Sequence, residues 1–212
     1  MLNGHHAFAQ SRLGLTVGGN LNIVRLDYTN FDEPTAQFRP GFQFGVTSFT
    51  KLGPTLGLRS ALLYTAKGYR VGDLRDDEFD KYMYNYFSLP LSLVVYSEDF
   101  HIGFGPYTAL GLSGKNKYGR GNFRRDVNLT PSAGEVSASD FDDEAPFRRL
   151  DFGFNVIMGV DLNQVTIFFG YENSLSNLNV DMVDNSQLVF ASNDFKSFHR
   201  TLSLGITYFP KR

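Results

Sequence analysis

The fold class this chain predicts is all-β: one eight-stranded antiparallel up-and-down transmembrane β-barrel. Three observations predict it. Apolar residues alternate with small or polar ones, period 2, along about eight segments of the 212 residues. The connections between segments alternate short and long. The second face of the segments carries Gly, Ser, Thr and Asn rather than the Lys, Glu and Asp that a water-facing sheet would need.

In chain order, the first strand carries Leu13, Leu15, Val17, Leu21 and Ile23 on its apolar face, against Gly14, Thr16, Gly18, Asn20 and Asn22. Phe42, Phe44 and Val46 mark the second, and Leu56, Leu58, Leu62 and Tyr64 the third. Phe87, Leu89, Leu91, Leu93 and Val95 form the fourth; Phe100, Ile102, Phe104, Leu110 and Leu112 form the fifth. The sixth runs from Leu150 to Val160, the seventh from Val165 to Tyr171, and the eighth from Leu202 to Tyr208. Each approximates the 9–11 residues that cross a bilayer at a tilt. Short turns fall at Lys51–Pro54, Ser97–Asp99 and Asn163-Gln164. Long polar loops fall at 25–39, 71–81, 115–149 and 176–198. Short turns on one rim and long loops on the other match outer-membrane barrels, with both termini on the short-turn rim. Pro90 and Pro106 each remove a ladder donor in consecutive strands, which predicts a shared irregularity there.

The alternative is a soluble lipocalin-like barrel, with its apolar face turned inward around a lipophilic ligand. The opposite face argues against it. Glycine on a water-exposed strand costs entropy and adds no solubility, whereas inside a narrow barrel it makes room for larger neighbours. Phe42, Tyr64, Phe100, Phe152, Tyr171 and Tyr208 could supply the aromatic girdles of a membrane barrel.

Composition removes other classes. There is no cysteine, so disulfides, thiolate metal sites and cysteine nucleophiles are out. A net charge of -2 gives no footprint for nucleic acid. No run reaches the roughly 18 apolar residues of a spanning helix. Ala7-Phe8-Ala9 before Gln10 reads as a signal-peptidase site, although the basic and apolar regions that normally precede one are missing. The expected division is therefore 1–9 as the remnant of a signal peptide and 10–212 as the barrel.

No catalytic motif stands. Gly111-Leu112-Ser113-Gly114-Lys115 lacks the glycine spacing and the Ser or Thr of a phosphate loop. The acidic stretches lack the spacing of a calcium loop. No cofactor and no metal are expected. A lipid-acting enzyme would need a Ser–His pair, and His199 is the one candidate. One constellation has physical content. Lys67, Asp151 and Glu172 have lumen-facing parity near the long-loop end; Arg59, His101 and Asp161 have it near the short-turn end. Charges inside a barrel require pairing, so these six should form a polar network that fills the lumen. The segment 115–149 is basic, then acidic, then basic again. Within it, Tyr118, Arg120, Phe123, Arg124 and Arg125 are candidate loop contacts.

Several short stretches follow one another along the chain. Leu13–Asn22 contains G-x-x-x-G-x-N, and Ala61–Gly68 follows E-L-L-Y-x-x-K-G apart from its first residue. Tyr86–Leu91 is similar to Y-L-x-I-P-L, Gly103–Tyr107 matches G-x-G-P-Y, and Asp151-Phe152-Gly153 matches D-x-G. Together they resemble the PorT-like outer-membrane β-barrel proteins of the Bacteroidota, over about Leu13 to Phe209. The resemblance implies an eight-stranded outer-membrane barrel and carries no catalytic residues. Ala61 and Ser88 stand where many members place a lumen glutamate, which implies a rewired interior. The expected role is non-enzymatic: structural, adhesion or secretion-accessory. The partners would be the lipid bilayer, lipopolysaccharide and a protein engaged by the extracellular loops, with no nucleic acid.

Overall fold

The computed structural model describes residues 11–28, 36–71, 79–120, 123–133, 136–137, 144–180, 182–184, 187–190 and 195–211. The signal-peptide reading of residues 1–9 lies outside them. Eight long strands form the wall: β1 (Ser11–Tyr28), β2 (Arg39–Lys51), β3 (Leu56–Val71), β4 (Phe79–Ser97), β5 (Phe100–Arg120), β6 (Leu150–Leu162), β7 (Val165–Ser174) and β8 (Phe195–Tyr208). Each pairs antiparallel with its chain neighbours. The sheet closes where β1 meets β8, from Leu15↔Tyr208 to Tyr28↔Phe195. Closure leaves no edge of unpaired backbone, which hydrocarbon would not tolerate.

The faces separate as the alternation requires. Leu13, Leu15, Phe104 and Leu204 point outward and are 60–65% exposed. Thr16, Asn20, Asn22, Gln43, Thr47, Ser88, Ser92 and Thr207 point inward and are buried. An apolar belt of this extent has no place in water, and these inward positions behind it are polar. The soluble lipocalin-like alternative is thereby overturned: it needs the reverse. Outward rings gather in clusters. Phe42, Phe44, Tyr64 and Phe87 touch in series across β2, β3 and β4, at centroid separations of 5.2–6.3 Å. Phe104, Phe154 and Tyr171 make a second series at 6.0 and 6.4 Å.

The short turns are tight. Glu98 and Asn163 adopt left-handed backbone, with φ of 49° and 59°. Asn tolerates that region; Glu has no such preference. The third turn is tied by Leu52 N–H donating to Leu56 C=O at 2.8 Å.

The strands run further toward the long-loop rim than their apolar stripes. β3, β4 and β5 continue past the lipid-facing stretch, with pairs Val71↔Asp80 and Asp80↔Tyr118. The segment expected as one loop over 115–149 is therefore strand at both ends. Residues 123–132 fold back on β5, and Glu144–Arg148 pairs parallel to that return strand. A small sheet of residues 136–137, 182–184 and 187–190 lies on the same rim.

The prolines mark a break in the wall. Between β4 and β5 the ladder stops after Pro90↔Tyr107 and resumes at Leu93↔Phe104 in unchanged register. Asn155, reaching in from β6, patches it. Its Nδ2 donates to the carbonyls of Gly105 and Pro106, both at 2.9 Å, and its Oδ1 accepts from Ser92 at 2.6 Å. Gly105 is required by this approach, because a Cβ there would lie 2.0 Å from the Leu91 carbonyl oxygen. At Gly19, on the lipid face, a Cβ would meet nothing within 4 Å. Gly105→Ala should lower unfolding free energy by about 2 kcal/mol or more, as forced overpacking does. Gly19→Ala should stay within about 0.5 kcal/mol of the parent. Urea unfolding in detergent or lipid vesicles measures both; equal effects would refute the close-approach argument.

Candidate functional site

The lumen is built in layers. At the short-turn end, the Arg12 guanidinium lies between the rings of Phe49 (5.4 Å) and Phe209 (4.8 Å). Phe209 faces inward, whereas its neighbour Tyr208 faces out. Above this cap the hydroxyls of Thr16, Thr47 and Thr207 hydrogen-bond across β1, β2 and β8 at 2.6 and 2.8 Å.

The six residues expected as a polar network fall at two levels: Arg59, His101 and Asp161 beside the Arg12 cap, and Lys67, Asp151 and Glu172 further up. Lys67 and Asp151 are fully buried, and Lys67 Nζ stands 3.3 Å from Asp151 Oδ2 and 3.0 Å from Glu172 Oε2. The ammonium also lies 4.7 Å from the centre of the Tyr107 ring and 5.6 Å from that of Tyr86. Asp151 accepts further bonds from Tyr107 Oη (3.1 Å), Ser174 Oγ (2.6 Å) and Ser176 Oγ (2.8 Å). So dense a donor set satisfies the oxygens of a carboxylate held out of water. At the other end, His101 Nδ1 is 3.4 Å from Asp161 Oδ2, and Thr166 donates to the same carboxylate. Arg59 departs from the expected ion pairing. It is buried and makes no ion pair among the described residues; its guanidinium stands 5.4 Å from the centre of the Phe168 ring.

Beyond Lys67 the interior changes character. Val24, Leu26, Tyr69, Tyr84, Tyr86, Leu129, Phe147 and Leu178 pack into an apolar and aromatic core toward the long-loop end. Sequence reading missed this layer because it began the fourth strand at Phe87. The signal was available: Tyr82, Tyr84 and Tyr86 alternate on the parity opposite to Phe87 and Leu89, which places them inside. His199 belongs to this layer. It is fully buried, its ring meets Tyr84 and Tyr86 edge-on, and neither nitrogen has a hydrogen-bond partner. The serine contact that a hydrolytic pair requires is thus not made among the described residues.

The candidate loop contacts sit on the long-loop rim. Tyr118 is on the extended part of β5, paired with Asp80 on one side and Arg125 on the other. Arg120 pairs with Phe123, and Arg124 with Gly119. Arg125 is exposed. The side chains of Arg120, Phe123 and Arg124 lie outside the described residues. Nearby, Asp126 stands between Lys115 (3.7 Å) and Lys117 (3.6 Å). Such exposed pairs contribute little to stability.

A family model described as outer membrane protein beta-barrel domain matches residues 8–180. A search of curated proteins returns no match. Among solved structures, the attachment invasion locus protein Ail of Yersinia pestis is 14% identical, with 94% of this chain and 98% of that one covered at a TM-score of 0.44. Neisserial surface protein A is 12% identical over 92% and 97%, at 0.43. OprG from Pseudomonas aeruginosa is 12% identical over 95% and 97%, at 0.36.

Lys67→Met leaves two carboxylates without their cation and should destabilise the barrel by about 3–5 kcal/mol. Adding Asp151→Asn and Glu172→Gln should recover much of that loss, because the buried charge is gone. Urea unfolding of the three proteins reads the difference. Glu172→Gln alone should open no conductance in planar bilayers, since side chains fill the lumen of an eight-stranded barrel.

Proposed function

Since the chain belongs to the outer membrane protein beta-barrel domain family and resides in the outer membrane, we propose that its work is done by its long-loop rim, as a structural, adhesion or secretion-accessory protein without catalysis. One observation carries this reading: below the long-loop end the interior is occupied by ion pairs, hydroxyl layers and aromatic packing, while the long connections gather at one end. A filled barrel offers no channel, so a rigid scaffold presenting loops is what remains. In this reading the short turns face the periplasm and the long segments face outward, against lipopolysaccharide and a protein partner. The surface around Tyr118, Arg120, Phe123, Arg124 and Arg125 is the proposed contact. The resemblance to PorT-like proteins supports a place within that subgroup.

Two measurements test the proposal together. In outer-membrane extracts, an unboiled sample should migrate faster than a boiled one. The double variant Arg124→Glu, Arg125→Glu should keep that shift. Cells displaying the variant should lose surface attachment by about tenfold, the effect of removing roughly 1.4 kcal/mol of contact. Attachment equal to the parent, with the shift intact, would sink the loop-contact reading.

A further inference from the structure

The aromatic layer at the long-loop end is not fully packed. It borders a partly open cavity of about 250 Å³. Tyr69, Tyr82, Tyr84 and Phe147 form its walls, with aliphatic side chains and Asn179 completing the lining. The rings of Tyr69 and Tyr82 stack with centroids 4.6 Å apart and planes 17° from parallel. Tyr82 and Tyr84 follow at 6.4 Å and 10°, and Phe147 leans on Tyr84 at 5.0 Å. The cavity wall carries one formal charge, Asp80.

Asp80 is half-buried, and its Oδ1 is shut off from solvent with no hydrogen-bond partner. No ion pair reaches it among the described residues. It lies on β4 beyond the lipid-facing stretch, where burial pushes its carboxyl up. A partly desolvated carboxylate with an unmet oxygen is costly to maintain.

Aromatic faces carry negative quadrupole potential, and the lone carboxylate adds to it. Both favour a cation. A hard metal ion is a poor match, because it asks for six or more oxygen ligands or tightly held waters. A neutral sugar would leave the charge of Asp80 uncompensated. The volume is below the range typical of drug-sized ligands, which fits a compact guest. We propose that this cavity binds a small organic ammonium ion, with the stacked Tyr69, Tyr82 and Tyr84 rings as one wall against its alkylated nitrogen and Asp80 as countercharge. The site is independent of the loop-contact reading, since it is formed by the barrel's own strands and the segment around Phe147.

The test uses the full chain in a polyoxyethylene detergent, which carries neither ammonium nor sugar. Tetramethylammonium chloride is titrated while the tyrosine ring resonances are followed by NMR. Sodium chloride controls for ionic strength; tert-butanol and methyl glucoside are neutral comparators. Saturable shifts with tetramethylammonium, absent with all three controls, are expected. Asp80→Asn and Tyr82→Leu should each weaken binding by about tenfold, in the range of a desolvated cation–π contact. Asp80→Asn is isosteric, and the gel shift on boiling checks that both variants fold. Glycerophosphocholine separates two sources: tighter binding than tetramethylammonium assigns a lipid headgroup, weaker binding a free amine. Failure of both to saturate, equal binding of a neutral comparator, or unchanged affinity in Asp80→Asn would each overturn the proposal.

Discussion

Hydrocarbon offers no hydrogen bonds, so every backbone amide along the membrane-facing wall must find its partner in the next strand. That requirement forces β1 onto β8, and the eight strands the chain supplies set the circumference. A ring this small has an interior only wide enough for side chains. Much else follows. Glycines stand where the wall curves tightly or where backbones cross closely, as at Gly105 against Leu91. Where Pro90 and Pro106 interrupt the ladder, a side chain supplies the missing bonds: Asn155 reaches both carbonyls beside the gap.

The same narrowness governs the charges. Lys67 cannot reach water, so it is held by two carboxylates and two aromatic faces. Asp151 cannot either, and it draws donors from Tyr107, Ser174 and Ser176 as well as Lys67. Such a cluster adds little net stability over an apolar filling, because desolvation offsets the attraction. What it gives is register: β3, β6 and β7 are pinned at one level, and a slipped strand would strand a buried charge.

The rim is built differently from the wall below it. Above the ion cluster the lumen becomes aromatic, and the wall rises past the lipid belt on β3, β4 and β5. This rise gives the rim two chemically different surfaces. One is outward, charged and shared with the long segments. The other is inward, tyrosine-lined and holds a single carboxylate.

Sequence alone was sufficient for the eight strands of the wall and the face that meets lipid. Those properties follow from period 2 and from the alternation of turn lengths, both of which are local. It was insufficient for how far β4 and β5 extend, because polar strands above the membrane lose the apolar stripe that marks them; only the Tyr82, Tyr84, Tyr86 alternation betrayed it. It could not tell that Arg59 would face the Phe168 ring instead of a carboxylate, or that Asn155 would mend the proline gap. Nor could it bring Phe147 against Tyr84 to wall a cavity beside Asp80. Those outcomes depend on register and stagger around a closed ring. They join residues far apart in the chain, and pairing across the ring is a tertiary decision that no local pattern encodes.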